Sequence, residues 1–258
     1  MLQIRAKILY NKRVKGSYFH LVLGAPGIAR ESRPGQFLHI RVADVAEPLL
    51  RRPFSIHKAK GNDIDILYAV LGQATQLLTE KKSGEHLDLV GPLGNGFDYK
   101  PEVRSQKSEI LVAGGMGVAP LFFLAQKIAR QKPIVLLGAK TKEDILCEEE
   151  FKKLGCNVKI ATDDGSKGVK GKVTELLRSV LRTTNNEQRT TIYACGPKPM
   201  LKEISRISKK YRIPAEVSLE EHMACGIGAC LGCVVATTGG FKRVCKEGPV
   251  FKADTVIW

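Results

Sequence analysis

The chain has 258 residues, a hydrophobic fraction of 43% and a formal net charge of +15. No apolar run reaches the length of a membrane span, and residues 1–16 lack the apolar centre of a signal peptide, so we expect a soluble cytoplasmic protein. Lysine and arginine are spread along the whole chain, and the densest groups, at 166–172 and 208–210, are short and carry no interleaved aromatic residues, a pattern that favours a solvated basic surface over a nucleic-acid site.

Residues 1–99 consist of short alternating segments separated by turns, and they predict an antiparallel β-barrel or sandwich. The segment 72–84 is the helix candidate of this region, with Gly84 as its stop signal. The six predicted strands are 3–10, 17–25, 35–43, 54–60, 63–71 and 85–93.

The barrel region contains two segments that suit a phosphate-bearing ligand. In "RRPFS" at 51–55, Arg52 can hold a phosphate while Phe54 and Ser55 face an aromatic ring system; a surface arginine beside a core phenylalanine is the alternative. At the start of the predicted helix, the N–H groups of Ala74 and Thr75 could bind a pyrophosphate. The glycine-rich segment 91–97 is interpreted as a turn.

After a polar stretch at 99–109, strand and helix patterns alternate four times. This alternation predicts a doubly wound parallel sheet with helices on both faces. The predicted strands are 109–115, 133–140, 157–165 and 189–197, and the predicted helices are 118–131, 148–155, 171–181 and 199–211.

Two segments mark the carboxyl ends of these strands. "AGGMGVAP" at 113–120 resembles a dinucleotide loop through Gly114, Gly115 and Gly117, although Pro120 stands where the Rossmann pattern has glycine or alanine. Cys195 in "YACGP" lies where doubly wound sheets bind ligands; a buried structural cysteine is the alternative. Lys140 and Lys142 follow a strand and could meet a 2′-phosphate, so the choice between NAD and NADP stays open.

Four of the seven cysteines are spaced Cys225-x4-Cys230-x2-Cys233-x11-Cys245. Zinc ribbons usually carry two CxxC pairs, whereas this spacing is that of plant-type [2Fe-2S] proteins. The intervening glycines permit a tight loop whose backbone N–H groups turn towards a negatively charged cluster. A zinc site or free thiols are the alternatives.

Taken together, the motifs resemble the ferredoxin-NADP reductase superfamily. "PGQFLHIRV", "PLLRRPFSI", "GPLGNGF", "TDDGS", "ACGPKPML", "MACGIGACLGCVV" and "CKEGPVFKA" resemble the electron-transfer subunits of NAD-dependent (type B) dihydroorotate dehydrogenases. The resemblance implies an FAD-binding barrel at 1–99, an NAD-binding α/β domain at 100–215 and a small [2Fe-2S] domain at 216–258.

The resemblance also assigns roles by position. Arg52 would hold the flavin pyrophosphate, Cys195 would lie near the nicotinamide, and Ala74 departs from the Gly-Thr pair usual in the family. The implied FAD and NAD contacts are Arg52, Pro53, Phe54, Ser55, Leu67, Tyr68, Ala69, Ala74, Thr75, Gly114, Gly115 and Gly117. The implied cluster ligands are Cys225, Cys230, Cys233 and Cys245.

The implied activity belongs to pyrimidine biosynthesis. A partner subunit with FMN would oxidise dihydroorotate, and electrons would pass through the cluster and FAD to NAD+, in a heterotetramer with two of each chain. The surface around Ala224, Ile227, Ala229 and Leu231 would dock the partner. The alternatives are a related flavin and iron-sulfur NAD(P) oxidoreductase, such as a ferredoxin-dependent transhydrogenase or sulfide dehydrogenase, and a zinc-bearing nucleic-acid-binding protein.

Overall fold

A computed structural model describes residues 1–43, 47–99, 109–183 and 190–258, so most of the predicted polar stretch at 99–109 lies outside the described residues. The chain forms two compact units. The first, here called the barrel unit, comprises Met1–Gly96, Glu220–Val235 and Phe241–Pro249. The second, here called the sheet unit, comprises Phe97–Leu219, Ala236–Gly240 and Val250–Trp258. The three-domain division remains a prediction.

The barrel unit is built on a seven-stranded antiparallel sheet, as the alternating segments predict. Its strands are β1 (Leu2–Lys15), β2 (Tyr18–Gly24), β3 (Phe37–Arg41), β4 (Arg52–Ser55), β5 (Lys58–Lys60), β6 (Asp63–Ala69) and β7 (His86–Leu93). They are arranged in the order β4-β3-β7-β1-β2-β6-β5.

The segment predicted as one strand at 54–60 forms two strands. The N–H of Ile56 donates to Gln36, whereas the N–H of His57 donates to Asp65 in β6. The chain therefore changes hydrogen-bonding partners between these two residues, from the neighbourhood of β3 to β6, and the strand is interrupted there.

Two short helices complete this sheet. The helix α2 (Gln73–Glu80) lies within the predicted segment, and Gly84 follows it at φ +96 in the turn before β7. The sequence analysis missed α1 (Pro26–Glu31), which places a proline in its first turn and buries Ile28 and Ala29. Its six residues are too few to show a helical period in the sequence.

The strand β3 differs from its neighbours in how it is buried. The strand β2 alternates between buried and half-buried residues, as expected when one face of a sheet packs on a core. In β3, Phe37, Leu38, His39 and Ile40 are all buried. Both faces of β3 are therefore covered, and a layer beyond the barrel core must lie on one of them.

The sheet unit contains the predicted alternation of strands and helices. Its strands β8 (Glu109–Gly114), β9 (Ile134–Ala139), β10 (Asn157–Thr162), β11 (Val169–Lys170), β12 (Thr191–Cys195) and β13 (Ala215–Ser218) pair in parallel in the order β11-β10-β9-β8-β12-β13. The helices are α3 (Val118–Ile128), α4 (Glu148–Lys153), α5 (Val173–Thr183) and α6 (Lys198–Tyr211). The strand β8 is buried along its whole length, as a central parallel strand should be.

The last part of the chain adds three strands. A two-stranded hairpin forms from β14 (Val234–Thr237) and β15 (Gly240–Arg243). The strand β16 (Val250–Lys252) then pairs antiparallel with β13, so that Ser218 lies opposite Val250 at the edge of the parallel sheet. Within the described ranges, every helix is too short or too polar to cross a bilayer.

Candidate functional site

The "RRPFS" segment lies on β4, beside the buried strand β3. Leu38 of β3 pairs with Phe54, and Phe37 pairs with Ser55. The ring of Phe54 meets Tyr68 edge-on at 5.9 Å, and Tyr68 stacks on Phe19 at 5.5 Å between centroids. These aromatic rings fix the backbone of β4, and with it the positions of Arg52 and Ser55.

The two neighbouring arginines of this segment have different partners. Arg51 donates to the Asp88 carboxylate at 2.6 Å and to the Asp88 carbonyl at 2.9 Å, so it holds β7 in place. Arg52 donates to the neutral carbonyls of Leu50 and Arg51, at 2.5 and 3.4 Å. Its positive charge is thus suited to an anionic ligand such as a pyrophosphate.

Residues 67–69 form the end of β6, where one edge of the strand has no partner strand among the described residues. On one side they pair with residues 18–20 of β2, and on the other side β5 pairs only with residues 63–65. The backbone of Leu67, Tyr68 and Ala69 therefore extends past its partner strand on that side. Burial raises the pKa of Tyr68 to about 12, and its hydroxyl donates to Asn11 at 3.1 Å, so its role here is packing.

The other predicted phosphate contact is the start of α2. Ala74 is buried, and Thr75 accepts hydrogen bonds from the N–H groups of Leu71 and Gly72 at 2.9 and 3.2 Å. The threonine hydroxyl thus shapes the turn before the helix, which leaves the first-turn N–H groups at the helix terminus as anion donors.

In the sheet unit, the predicted glycine loop and the "YACGP" segment are brought together at the carboxyl ends of β8 and β12. A Cβ added at Gly117 would collide with the Cys195 carbonyl, and one added at Gly114 would meet Met200 Sδ at 2.7 Å. Gly115, at φ +54, has open space around it. Of the three glycines, Gly114 and Gly117 are required for packing, and Gly115 lies where a ligand can approach.

The lysines considered for a 2′-phosphate lie in the loop after β9. The backbone N–H of Lys142 donates to Ser166 at 2.8 Å, and its ammonium lies 3.9 Å from Glu143. The carbonyl of Lys140 accepts from the N–H of Asp164 at 3.3 Å. The loop therefore carries charges of both signs, and the preference between NAD and NADP stays open.

The four clustered cysteines form two pairs in the barrel unit, and all seven cysteines lack disulfide bonds. Cys225 Sγ accepts from the N–H groups of Ala229 and Cys230 at 3.3 and 3.4 Å. The N–H of Cys245 donates to Cys233 Sγ at 3.4 Å.

The two pairs differ in their electrostatic surroundings. Burial raises the pKa of Cys225, but the N–H groups of Cys230, Ile227 and Ala229 outweigh it and lower the pKa to about 6. Burial together with the neighbouring Cys233 thiol raises the pKa of Cys245 to about 12. The loop around Cys225 is thus already shaped to stabilise negative charge on sulfur.

This pairing fits a [2Fe-2S] cluster. No three histidine, cysteine or acidic side chains in the described part of the chain converge on one point as ligands of a single ion. A [2Fe-2S] cluster takes two cysteines on each of its two irons, so it requires two pairs. The donors therefore match the cluster.

Arg243 holds the cysteine segment closed. Its guanidinium donates to the Gly228 carbonyl at 2.7 Å and forms a two-point pair with the Glu247 carboxylate. Hydrogen bonds from Arg243, which outweigh the effect of burial, lower the pKa of Glu247 to about 2. This arginine, which the sequence analysis missed, ties the loop between the first two cysteines to the segment that carries Cys245.

His39 on β3 is a second residue that the sequence analysis missed. It is fully buried, and neither ring nitrogen makes a well-aligned hydrogen bond within the described residues. A Cβ added at Gly226 would collide with Nδ1 of this ring. The cysteine segment therefore supplies the layer that covers β3, and a histidine inside the apolar run "FLHIRV" was the available signal.

The residues proposed for docking are on the surface of the same segment. Ala224 and Ala229 are exposed, and Ile227 and Leu231 are 49% and 62% exposed. Leu231 also has φ +60, a left-handed conformation that is unusual for a bulky residue. The loop thus presents apolar side chains to solvent next to the thiol pairs.

Comparison with known families matches two parts of the chain. Residues 220–257 match the iron-sulfur cluster binding domain of dihydroorotate dehydrogenase B, and residues 111–206 match the oxidoreductase NAD-binding domain. A relative from Desulforamulus reducens, named dihydroorotate dehydrogenase B (NAD(+)), electron transfer subunit, is 43% identical and covers 98% of this chain and 97% of its own length. A relative of the same name from Caldanaerobacter subterraneus is 39% identical, with 99% of each chain covered.

Solved structures share the fold. A chain from the structure of an NADH-dependent reduced ferredoxin-NADP oxidoreductase has a TM-score of 0.86 at 30% identity, and covers 98% of this chain and 90% of its own length. A ferredoxin NADP+ reductase from Neisseria gonorrhoeae has a TM-score of 0.69 at 17% identity, over 81% of this chain and 91% of its own. The chain therefore belongs to the family of electron transfer subunits of dihydroorotate dehydrogenase B, oxidoreductases with the fold of ferredoxin-NADP reductases.

Proposed function

We propose that this chain transfers electrons between an FMN-containing dihydroorotate dehydrogenase subunit and NAD+, in pyrimidine biosynthesis. The proposal rests on one observation. The barrel unit contains two pairs of cysteine thiols, and the segment that carries them packs against β3, the strand next to the "RRPFS" segment. When bound, the cofactors supply the redox chemistry: a [2Fe-2S] cluster exchanges single electrons with the partner, and FAD exchanges a hydride with NAD+.

The protein's own part is to bind and orient these groups. Arg52 supplies a charge for the flavin pyrophosphate, and the edge of β6 at residues 67–69 supplies backbone contacts. Gly115 leaves room for the dinucleotide at the carboxyl end of β8, where open α/β sheets bind their ligands. Cys225, Cys230, Cys233 and Cys245 are the proposed cluster ligands, and Cys195 is proposed to orient the nicotinamide.

Two features support the proposed docking surface. Ile227 and Leu231 are apolar and exposed beside the thiol pairs, where electrons have to leave the subunit. Leu231 has a positive φ, a strain that persists when the surrounding structure imposes it and that is common at functional sites. We propose that the partner subunit covers these side chains in a complex with two copies of each chain.

A reducing location such as the cytoplasm suits these residues, because cluster ligands have to remain thiolates and not form disulfides. We also propose NAD over NADP, because the relatives that are 43% and 39% identical over nearly the whole chain are named as NAD(+) enzymes. Comparing turnover with the two dinucleotides tests this preference directly.

The first experiment is cofactor analysis of protein purified without oxygen. We expect about two irons per flavin and a visible spectrum of both cofactors. Stoichiometric zinc without flavin would contradict the proposal. The isolated chain should reduce an artificial dye with NADH yet show no oxidation of dihydroorotate, because an FMN-binding barrel of eight strand–helix units would need about 250 residues beyond the two described units.

The second experiment adds the FMN subunit of a dihydroorotate dehydrogenase B. Mixing should produce NAD+-linked orotate formation, and Leu231→Asp should weaken assembly because it places a charge in the apolar surface. Val14→Asp is the matched control, since Val14 is a 53% exposed apolar residue of β1 outside that surface. Equal loss of assembly in both variants would refute the docking surface without affecting the cofactor assignment.

A second candidate function is favoured by one comparison. The chain shares 30% identity and a TM-score of 0.86 with a subunit of the NADH-dependent reduced ferredoxin-NADP oxidoreductase structure. A related transhydrogenase would exchange electrons with reduced ferredoxin. Activity restored only by a ferredoxin-linked flavoprotein, with none from the dihydroorotate-oxidising subunit, would assign the chain to that function.

A further inference from the structure

His39 is a fully buried polar side chain whose two ring nitrogens make no well-aligned hydrogen bond within the described residues. Buried polar atoms in native proteins nearly always have a hydrogen-bond partner, and an orphaned one therefore calls for an explanation. The barrel core does not supply a hydrogen-bond partner, because Leu38 and Ile40 face that core and His39 points to the opposite face of β3.

The ring of His39 meets the cysteine segment at Gly226, directly after the first clustered cysteine. A Cβ at Gly226 would collide with Nδ1, so the backbone of the segment lies against the ring edge. Gly226 has φ +70, a conformation that glycine adopts without strain. The close approach of backbone to imidazole is thus part of the loop's construction.

On the other side, His39 adjoins the strand proposed to bind the flavin. It pairs with Pro53 across β3 and β4, in the middle of the "RRPFS" segment. Burial lowers the pKa of His39, and the charges of Arg51 and Arg52 add to this effect in a smaller measure. The ring is therefore neutral, with one N–H donor and one acceptor nitrogen.

The backbone groups nearest to the ring do not satisfy these atoms. The backbone of Arg51 and of Cys225 approaches closely enough to raise the pKa of His39 against the effect of burial. Neither approach has the distance and angle of a hydrogen bond. Nδ1 lies instead against Gly226, the residue directly after the proposed cluster ligand Cys225.

We propose that His39 donates a ring N–H to the [2Fe-2S] cluster at its Cys225 end and thereby raises the reduction potential of the cluster. The reduced cluster carries one more negative charge than the oxidised cluster, so a nearby donor stabilises it more. Hydrogen bonds to cluster sulfurs are one of the means by which proteins set these potentials. The proposal rests on the four-cysteine ligand set proposed above.

The competing explanation is that His39 merely fills space between β3 and the cysteine segment. His39→Phe keeps a planar ring and removes both nitrogens, whereas His39→Asn keeps a polar hydrogen-bonding group near the position of Nδ1. His222→Gln is the matched control, because His222 is an exposed histidine three residues before Cys225. All three are compared with the unaltered chain by potentiometric titration, with the EPR signal of the reduced cluster as the readout.

The expected result is a shift of the cluster midpoint to more negative potential in His39→Phe, with iron and flavin contents unchanged. His39→Asn should shift the midpoint less than His39→Phe does, and His222→Gln should leave it unchanged. An unchanged midpoint in His39→Phe at full iron content would overturn the proposal. Absence of iron from the unaltered chain would instead refute the ligand set, so the two failures are distinguishable.

A second measurement does not depend on any variant retaining its cluster. Pulsed EPR of the unaltered chain, grown with 15N-histidine and reduced with dithionite, should detect coupling between the cluster and a histidine nitrogen. His222→Gln should retain that coupling. A spectrum without histidine coupling would overturn the proposal even if His39→Phe failed to assemble its cluster.

Discussion

The cysteine segment of the barrel unit and the glycine loop of the sheet unit are both rich in glycine, but for different physical reasons. In the glycine loop, Gly117 lies against the carbonyl of Cys195, a backbone atom of a buried strand. In the cysteine segment, Gly226 and Gly228 lie against the side chains of His39 and Lys246, and both have positive φ. One loop needs glycine because two backbones touch, and the other because the chain has to curve.

This difference indicates which substitutions damage folding and which damage a site. A backbone neighbour within a central strand cannot move aside, so extra atoms there force a general distortion. Where the neighbour of the glycine is a side chain, the added Cβ shifts the structure only locally. The free-energy cost then falls on the ligands that the loop holds. The same residue type, in two similar motifs, therefore predicts two different phenotypes.

The largest effect is expected where a cluster ligand is removed. Cys230→Ser should abolish the cluster, because the remaining thiols no longer form two complete pairs. FAD should remain bound and be reduced by NADH, whereas electron exchange with the partner should stop. Iron and flavin analysis measures both sites. Cys156→Ala, which removes a buried thiol from the sheet unit, is the control and should retain its iron. Loss of FAD reduction in Cys230→Ser would break the separation between the two regions.

A pair of glycine variants tests the comparison directly. Gly117→Ala should lower the stability of the sheet unit towards the upper end of the roughly 1–3 kcal/mol typical of overpacking, because the Cys195 backbone cannot yield. Gly226→Ala should leave the unfolding temperature of the sheet unit unchanged and reduce the iron content, because the new methyl meets the His39 ring at a positive φ. Thermal unfolding and iron analysis of both variants provide the measurement. Equal effects on both properties would contradict the distinction.

An intermediate effect is expected at Arg52. Arg52→Ala removes a charge-assisted contact to the flavin pyrophosphate and should weaken FAD binding by about 1.5–3 kcal/mol. FAD affinity, measured by fluorescence after removal and readdition of the flavin, checks this value. Arg30→Ala, at an exposed arginine in the last turn of α1, is the control and should bind FAD normally. Normal affinity in Arg52→Ala as well would refute the assigned role.

The smallest effect concerns pH, where acidic groups of the two units behave in opposite ways. Burial raises the pKa of Glu216 to about 7 from its usual 4.5, and the charges of Asp98 and Glu109 act in the same direction, against the Asp98 N–H and Lys252. The folded chain thus holds this proton more tightly than the unfolded chain does. The sheet unit should therefore lose stability as pH rises from about 4.5 to about 7.

Glu216→Gln should flatten this dependence, and unfolding temperatures at pH 5 and pH 8 measure it. Glu247→Gln in the barrel unit is the control. The pKa of Glu247 is lowered to about 2, so its contribution is present above its usual pKa and is lost only in stronger acid. A pH slope that persists unchanged in Glu216→Gln would show that other groups carry it.

The alternation of apolar residues was sufficient to predict both sheets, because period-two and strand–helix patterns are local properties of the chain. The cysteine spacing likewise predicted a loop that wraps a [2Fe-2S] cluster, and residues 220–257 match an iron-sulfur cluster binding domain. The change of hydrogen-bonding partner strand between Ile56 and His57 could not be predicted, since it depends on residues that are distant in sequence. For the same reason the roles of His39 and Arg243 were missed: their neighbours in space are not their neighbours in sequence.

The packing of Gly114 and Gly117 against the "YACGP" segment could not be predicted from the sequence either. Their motif is the same whether the glycines face a ligand or another backbone. The contacts of Gly117 with Cys195 and of Gly114 with Met200 distinguish these two glycines from Gly115, which has open space around it.

The antiparallel pairing of β13 with β16 has a consequence for how this chain could be rebuilt. Because Ser218 and Val250 face each other in that pair, residues 219–249 leave the sheet and return to it at adjacent points. The segment is thus an insert between neighbouring strands and not a tail. A short turn joining the two strands should yield a chain that still folds its nucleotide sheet, and other redox modules whose ends lie equally close together could be grafted at the same place.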